Sequence, residues 1–316
     1  VGFCALRNNT TGIDNVAVGV SALLTNTIGL YNTAVGRSSL SNNTTGNQNT
    51  ALGSATLLLN TTGSYNTAVG RLSLVCNTAG SSNVAVGYRA LRCNTNGRSN
   101  TAVGVNTLRD STTGIYNSAF GRDALLLNSS GNCNVALGYS ALRGNGSANN
   151  NVGIGVCALY SNTASGNTAV GFCALRSNTT GAYNAALGLH ALANNTTGYA
   201  NLAFGSNTLC SNTIGGYNVA VGKTALSKNT TGINNMAVGG YALACNTTGR
   251  DNTAVGTAAL YKNTIGGCNI GIGSFALSSN TTGVRNTAIG VNSLTNNLVG
   301  TNNTSLGFQS LYSNTA

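Results

Sequence analysis

The sequence predicts an all-β fold, a parallel β-solenoid of about eighteen coils, and three observations carry that prediction. The 316 residues are one unit of seventeen residues repeated along the whole chain, with a nineteenth, partial copy ending at Ala316. The alphabet is narrow, with 43 glycines, four aspartates, one histidine and one methionine, and with no proline, tryptophan or glutamate, as a repeat rather than a mixed globular fold would have. The one regular local pattern is a period-two alternation of larger and smaller residues, as in Thr33-Ala34-Val35-Gly36, which suits a strand. Residues 1–316 therefore form a single repeat array.

Each unit opens on an apolar-glycine pair, from Val1-Gly2 and Val18-Gly19 to Leu306-Gly307, and numbering from that pair gives seventeen positions. Position 2 is glycine and position 6 is leucine in every unit, as at Leu6, Leu23 and Leu142. Position 5 is always Ala, Ser or Thr; position 9 is asparagine except at Ser111; position 15 is asparagine in every complete unit. Positions 3, 4, 7, 8, 13 and 14 accept almost anything and are the predicted surface. The unit 154–169 is one residue short, and the missing residue is expected in the turn between Thr163 and Asn167, because loops absorb deletions better than strands.

A pair of helices does not fit seventeen residues carrying two asparagines and one or two glycines. A strand fits positions 16, 17, 1 and 2. Positions 16 and 1 then share one face and are expected to join the leucine inside the coil. Positions 17 and 2, almost always Ala and Gly, make a face small enough for a neighbouring backbone to approach closely. That face is expected to be covered by another chain of the same kind. The asparagines at position 9 (Asn9) and position 15 (Asn15, Asn32) are expected to stack at about 4.8 Å and pass amide hydrogen bonds from coil to coil. Positions 9 to 12, typically Asn-Thr-Thr-Gly, read as a turn whose glycine supplies a positive φ. Eighteen coils at that spacing give a rod of roughly 85 Å. Neither end carries a polar capping segment, which predicts that the chain continues beyond both.

The string Asn-Thr-Ala-Val-Gly, at Asn32 to Gly36, Asn66 to Gly70, Asn100 to Gly104 and Asn252 to Gly256, resembles the head repeats of trimeric autotransporter adhesins. It is equally similar to the Asn-Thr-Ala-Val-Gly-x-x-Ala-Leu repeats of phage tail-fibre proteins. The resemblance covers the whole chain. It implies left-handed parallel β-rolls packed as a homotrimer, with small residues on one strand facing the three-fold axis. The unit here is longer than the adhesin unit by the Asn-Thr-Thr-Gly turn.

The net charge of +11 arises from fifteen cations set singly along the chain, not clustered as in a nucleic-acid binder. It suits solubility, or attraction to acidic glycans. No apolar run reaches the roughly eighteen residues of a membrane helix. Four aspartates cannot supply a repeating calcium ladder, and His190 has no carboxylate in its own or an adjacent coil. No catalytic, cofactor-binding or metal-binding residue is assigned, and the chain is read as not an enzyme.

Among nine cysteines, Cys76 and Cys93 share position 8 of neighbouring coils and Cys157 and Cys173 share position 4, so stacking makes both pairs candidate disulfides. Asn9, Asn60 and Asn229 head glycosylation sequons. Tyrosines recur at position 14, at Tyr31, Tyr65, Tyr116, Tyr183 and Tyr217. The expected function is a structural or adhesive extracellular fibre or stalk of a virion or cell surface. Its partners would be identical chains, with host glycans or receptors engaged by regions outside this segment. The alternatives are an ice-binding solenoid, from stacked threonines at positions 10, 11 and 16, and a self-stacking filament.

Overall fold

The computed structural model describes residues 1–315. Two compact units are distinguished, Val1–Cys157 and Ala158–Ala316. Each is a parallel β-solenoid, and the described residues contain no helix. The strands are three residues long and are formed by positions 16, 17 and 1 of the repeat. They run from β1 (Val16–Val18) to β9 (Val152–Ile154) in the first unit and from β10 (Thr168–Val170) to β18 (Thr304–Leu306) in the second. Within each unit successive strands pair in parallel without slippage, so Val16, Ala17 and Val18 stand opposite Thr33, Ala34 and Val35.

Main-chain bonds run between coils in both directions. The amide of Leu6 donates to Ala22 (3.0 Å) and that of Val16 to Asn32 (2.8 Å), one coil onward. The amides of Gly19, Ser21 and Tyr31 donate back to Val1, Phe3 and Ile13, at 2.8, 2.9 and 3.1 Å. This two-way pairing needs carbonyls and amides of one coil to point alternately up and down. The chain achieves it by placing positions 4, 6 and 14 in the left-handed region: Ser21, Leu23 and Tyr31 have φ of 58°, 49° and 59°. Position 2 has φ near 130°, as at Gly19 and Gly36, which only glycine adopts readily. A Cβ on Gly19 would also come within 2.6 Å of the carbonyl oxygen of Gly36.

The core reverses one expectation. Ala17 and its equivalents are buried inside their own coil, whereas positions 16 and 1 point out. The middle residue of every strand is buried and its two neighbours are partly or fully exposed. The face of positions 17 and 2 is thus not an outer surface awaiting another chain. Alanine is the limit at position 17 because the leucine of position 6 lies against it: a Cβ on Gly271 would sit 3.3 Å from Cγ of Leu260. At Ser305 the hydroxyl instead meets that of Ser293, a position 5 residue, at 2.7 Å.

Leu23, Leu142 and their equivalents form the expected internal ladder and are fully buried; at its ends Leu6 is half-buried and Leu311 is exposed. Position 5 is buried beside them. At Ser39, Thr56, Ser73, Thr107 and Thr208 the hydroxyl is satisfied by the position 2 carbonyl of its own or the next coil, as when Ser73 donates to Gly70 (2.9 Å) and Thr56 to Gly70 (2.8 Å). Ala, Ser and Thr are therefore interchangeable there.

Both asparagine ladders are present. At position 9 the side-chain amide of Asn26 donates to Oδ1 of Asn9 (2.8 Å) and to the carbonyl of Gly29 (3.0 Å). At position 15, Oδ1 of Asn32 receives both the main-chain N–H (3.0 Å) and Nδ2 (3.1 Å) of Asn49, while Nδ2 of Asn32 donates to Gly46 (2.9 Å). The carboxamide substitutes for a peptide group where the main chain turns away from its neighbour. The position 12 glycine does not adopt the positive φ expected of it. Its near-invariance, broken at Ala148 and in the short repeat, is steric: a Cβ on Gly29 would come within 2.5 Å of the carbonyl oxygen of Gly46.

The short repeat loses its residue in the turn. Leu159 donates to Ala174 (3.0 Å), fifteen residues on instead of sixteen, and Asn178 reaches Asn162 (2.7 Å), sixteen on. Asn184 reaches Asn167 at the full seventeen (3.3 Å). The missing residue therefore lies between Asn162 and Asn167, and both ladders continue past it.

Candidate functional site

With the interior filled by leucine, alanine and asparagine, recognition is left to the outward positions of the coils. The most uniform is the outward strand face of positions 16 and 1. Position 1 is apolar in every repeat yet substantially exposed, 43% at Val18, 47% at Leu52 and 50% at Phe204. Position 16 supplies mainly Val and Thr beside it. Neither position holds a charged residue anywhere in the chain; every Lys, Arg and Asp falls at positions 3, 4, 7, 8, 13 or 14. An apolar, uncharged face built by nine parallel strands in each unit is unusual for solvent-facing sheet, where charge is the ordinary protection against association.

The ionisable groups do not converge. Asp110 accepts from Arg109 at 2.7 Å, Asp123 is held by Arg122 at 3.4 Å and by Asn106 at 3.1 Å, and Asp251 by Arg250 at 3.9 Å and by Asn234 at 3.0 Å. These carboxylates sit beside cations in their own coils. His190 packs edge-on against Phe172, with centroids 5.4 Å apart. Among the described residues no group of three or more His, Cys, Asp or Glu could hold a metal ion, and no helix is long and apolar enough to cross a membrane.

No disulfide joins the cysteines among the described residues. Cys76 and Cys93 do lie in register, donating from their main-chain amides to Arg92 and Arg109 in the next coils (3.1 and 2.9 Å). Both are half-buried, and the Cys76 thiol is pushed up from its ordinary pKa by burial and then by Cys93, with Arg92 opposing. Cys157 belongs to the first unit and Cys173 to the second.

The sequons do not present an acceptor. Asn60 and Asn229 are wholly buried, and their Nδ2 atoms donate to Asn43 and Asn212 at 2.8 Å, so a glycan has no nitrogen to join in the folded chain. Asn9 is half-buried in the first coil and donates to Gly12 at 2.8 Å. The threonines of position 10 are similarly occupied, Thr27 donating to the carbonyl of Thr44 at 3.0 Å.

The position 14 tyrosines are exposed and share a left-handed backbone, φ 59° at Tyr31 and 61° at Tyr65. Sequence reasoning did not find this conformation, although a signal was there. Positions 4, 6 and 14 avoid β-branched residues, with Thr224 the single exception, because branching at Cβ clashes with a positive φ. The same rule makes the inner ladder leucine and never isoleucine or valine.

No known family matches the chain, and no curated protein does.

Proposed function

We propose that the chain is a structural and adhesive extracellular fibre or stalk, without catalytic activity, in which identical chains pack on one another through the outward face of positions 16 and 1. The observation that carries this reading is the absence of charge from that strand face along all its strands, against charged residues confined to positions 3, 4, 7, 8, 13 and 14. Like-charged strips repel, so an uncharged strand face is one on which two copies can approach. Stacked coils with their main-chain groups satisfied by one another need no large globular core, which suits a spacer on a virion or cell surface. Three chains is the state implied by the resemblance to adhesin heads; the contact is assigned here to the valines, not the alanines.

The experiment is a mass measurement by light scattering on the chain and on a Val35→Lys, Val69→Lys, Val103→Lys variant. The reading expects an integral multiple of the chain mass for the first and a single chain for the second, with circular dichroism unchanged. A single-chain mass for the unaltered protein would sink it. A second reading, ice binding, is favoured by the consecutive outward threonines Thr33, Thr50 and Thr67 at strand spacing. Bulky residues such as Phe120 and Phe204 break the flatness of that row, and thermal hysteresis measurements discriminate the two.

A further inference from the structure

Aromatic side chains are scarce in this sequence, 6% of residues, yet three of them line one shallow cavity of about 460 Å³ in the second unit. Tyr241 and Phe275 both occupy position 4, two coils apart, and Ala258 occupies the same position between them. All three share a left-handed backbone, with φ of 61°, 54° and 59° in chain order, so their side chains leave the coil in the same direction. Ala258 is 9% exposed and forms a floor; Tyr241 and Phe275 are 41% and 46% exposed and rise on either side. Two strand spacings place their backbones about 10 Å apart. Tyr261 closes one flank, meeting the Tyr241 ring edge-on with centroids 6.5 Å apart.

The rim is polar. Lys262 and the hydroxyls of Thr257, Ser278 and Ser279 line it, and no carboxylate does. Among the described residues Lys262 makes no ion pair. A ligand matching these walls has apolar faces to lie against rings and an edge of hydroxyls and negative charge to meet the rim. A wholly apolar ligand would bury the rim hydroxyls and ammonium without partners, which is costly. A pyranose has the required anatomy, since its axial C–H groups pack on aromatic faces while its hydroxyls radiate in the ring plane.

We propose that this cavity is a saccharide site for a pyranose ring bearing a carboxylate, a hexuronic acid, gripped between Tyr241 and Phe275 with its acid toward Lys262. The site stands on its own residues and does not depend on the chain being a fibre.

Saturation-transfer NMR on the full chain tests it, with methyl glucuronide, methyl glucoside and propionate as probes. A ligand of this size in an open cleft is expected to bind with about millimolar affinity. Transfer should be strongest to the ring C–H protons of the glucuronide, weaker to the glucoside and absent for propionate. Tyr241→Ala and Phe275→Ala should each weaken binding about fivefold or more, as loss of one stacking face does. Both variants keep the fold, because alanine stands at the same position at Ala55 and Ala258. Tyr65→Ala should change nothing. Lys262→Gln should erase the preference for glucuronide over glucoside. No transfer to either sugar at about 10 mM, or undiminished transfer in the Tyr241→Ala/Phe275→Ala double variant, overturns the site. An unchanged preference in Lys262→Gln overturns the role of the ammonium.

Discussion

Oδ1 of Asn94 faces Ser111 across one coil and receives no hydrogen bond, so the inner asparagine ladder is broken at this rung. Elsewhere within each unit the position 9 amide donates to the one before it, as Asn77 does to Asn60 at 2.7 Å. Serine is too short to reach, and its own hydroxyl is left without a partner as well. On the far side Asn128 donates only to Gly131, at 3.1 Å. Ser111→Asn should restore three bonds at once: to Asn94, to Gly114 and from Asn128. We expect a gain of about 1–3 kcal/mol, the usual cost of buried unsatisfied groups, seen as a higher denaturant midpoint with unchanged slope. A lower midpoint would mean that the rung has closed around serine.

The inner leucine ladder makes a sharper test of backbone conformation. Leu142 is fully buried with φ of 52°. In an ordinary core, exchanging leucine for isoleucine or methionine costs less than about 1.5 kcal/mol. Here isoleucine brings a branched Cβ into the left-handed region, adding a strain of about 1–3 kcal/mol that methionine avoids. Leu142→Ile should therefore be clearly less stable than Leu142→Met, and Leu142→Asp, which buries an unpaired carboxylate, worse than both. Equal melting of the isoleucine and methionine variants would show that the coil relaxes to accommodate branching.

The period, the leucine ladder, both asparagine ladders and the site of the deletion were legible because each is a positional invariance, and a stack of equivalent coils turns invariance into contact. Which side of the strand faced inward was not. Valine beside alanine reads by hydropathy as valine in, and only the size of the space left by Leu260 shows why alanine is the residue that fits. The bias against β-branched residues at positions 4, 6 and 14 held the missing clue, since an inner leucine with positive φ fixes where the coil turns. The cavity between Tyr241 and Phe275 was not legible either, because its rings are seventeen and thirty-four residues from neighbours they share only after stacking.

Ala102 and its equivalents at position 17 are fully buried against that leucine ladder. Ala102→Val adds two methyl groups where little space remains, and overpacking of this kind costs about 1–3 kcal/mol. The outward neighbour behaves oppositely: Thr101→Val, on the same strand, should be neutral within about 0.5 kcal/mol, as surface changes usually are. Urea unfolding of the two variants measures the contrast. If Ala102→Val were neutral and Thr101→Val destabilising, the strand would have to be turned over, with the alanines outside.

Cys76 offers a readout of coil register through its chemistry. Burial raises its thiol pKa first, Cys93 in the next coil raises it further, and Arg92 pulls it partly back. The thiolate is the nucleophile, so at pH 8 Cys76 should react with iodoacetamide more slowly than the exposed Cys133 and Cys268. Its rate should rise only at a pH above the ordinary thiol range. Cys93→Ser removes the neighbouring thiolate and should speed Cys76, whereas Arg92→Gln should slow it. The linkage has a definite sign. A pKa raised in the folded chain favours folding below the unfolded thiol's pKa, and that contribution is lost as pH climbs through the folded value. Peptide mass mapping of partially alkylated protein over pH 7 to 10 gives the rate at each cysteine. Indifference of Cys76 to both substitutions would place the two thiols out of register, and the pairing of their coils would have to be redrawn.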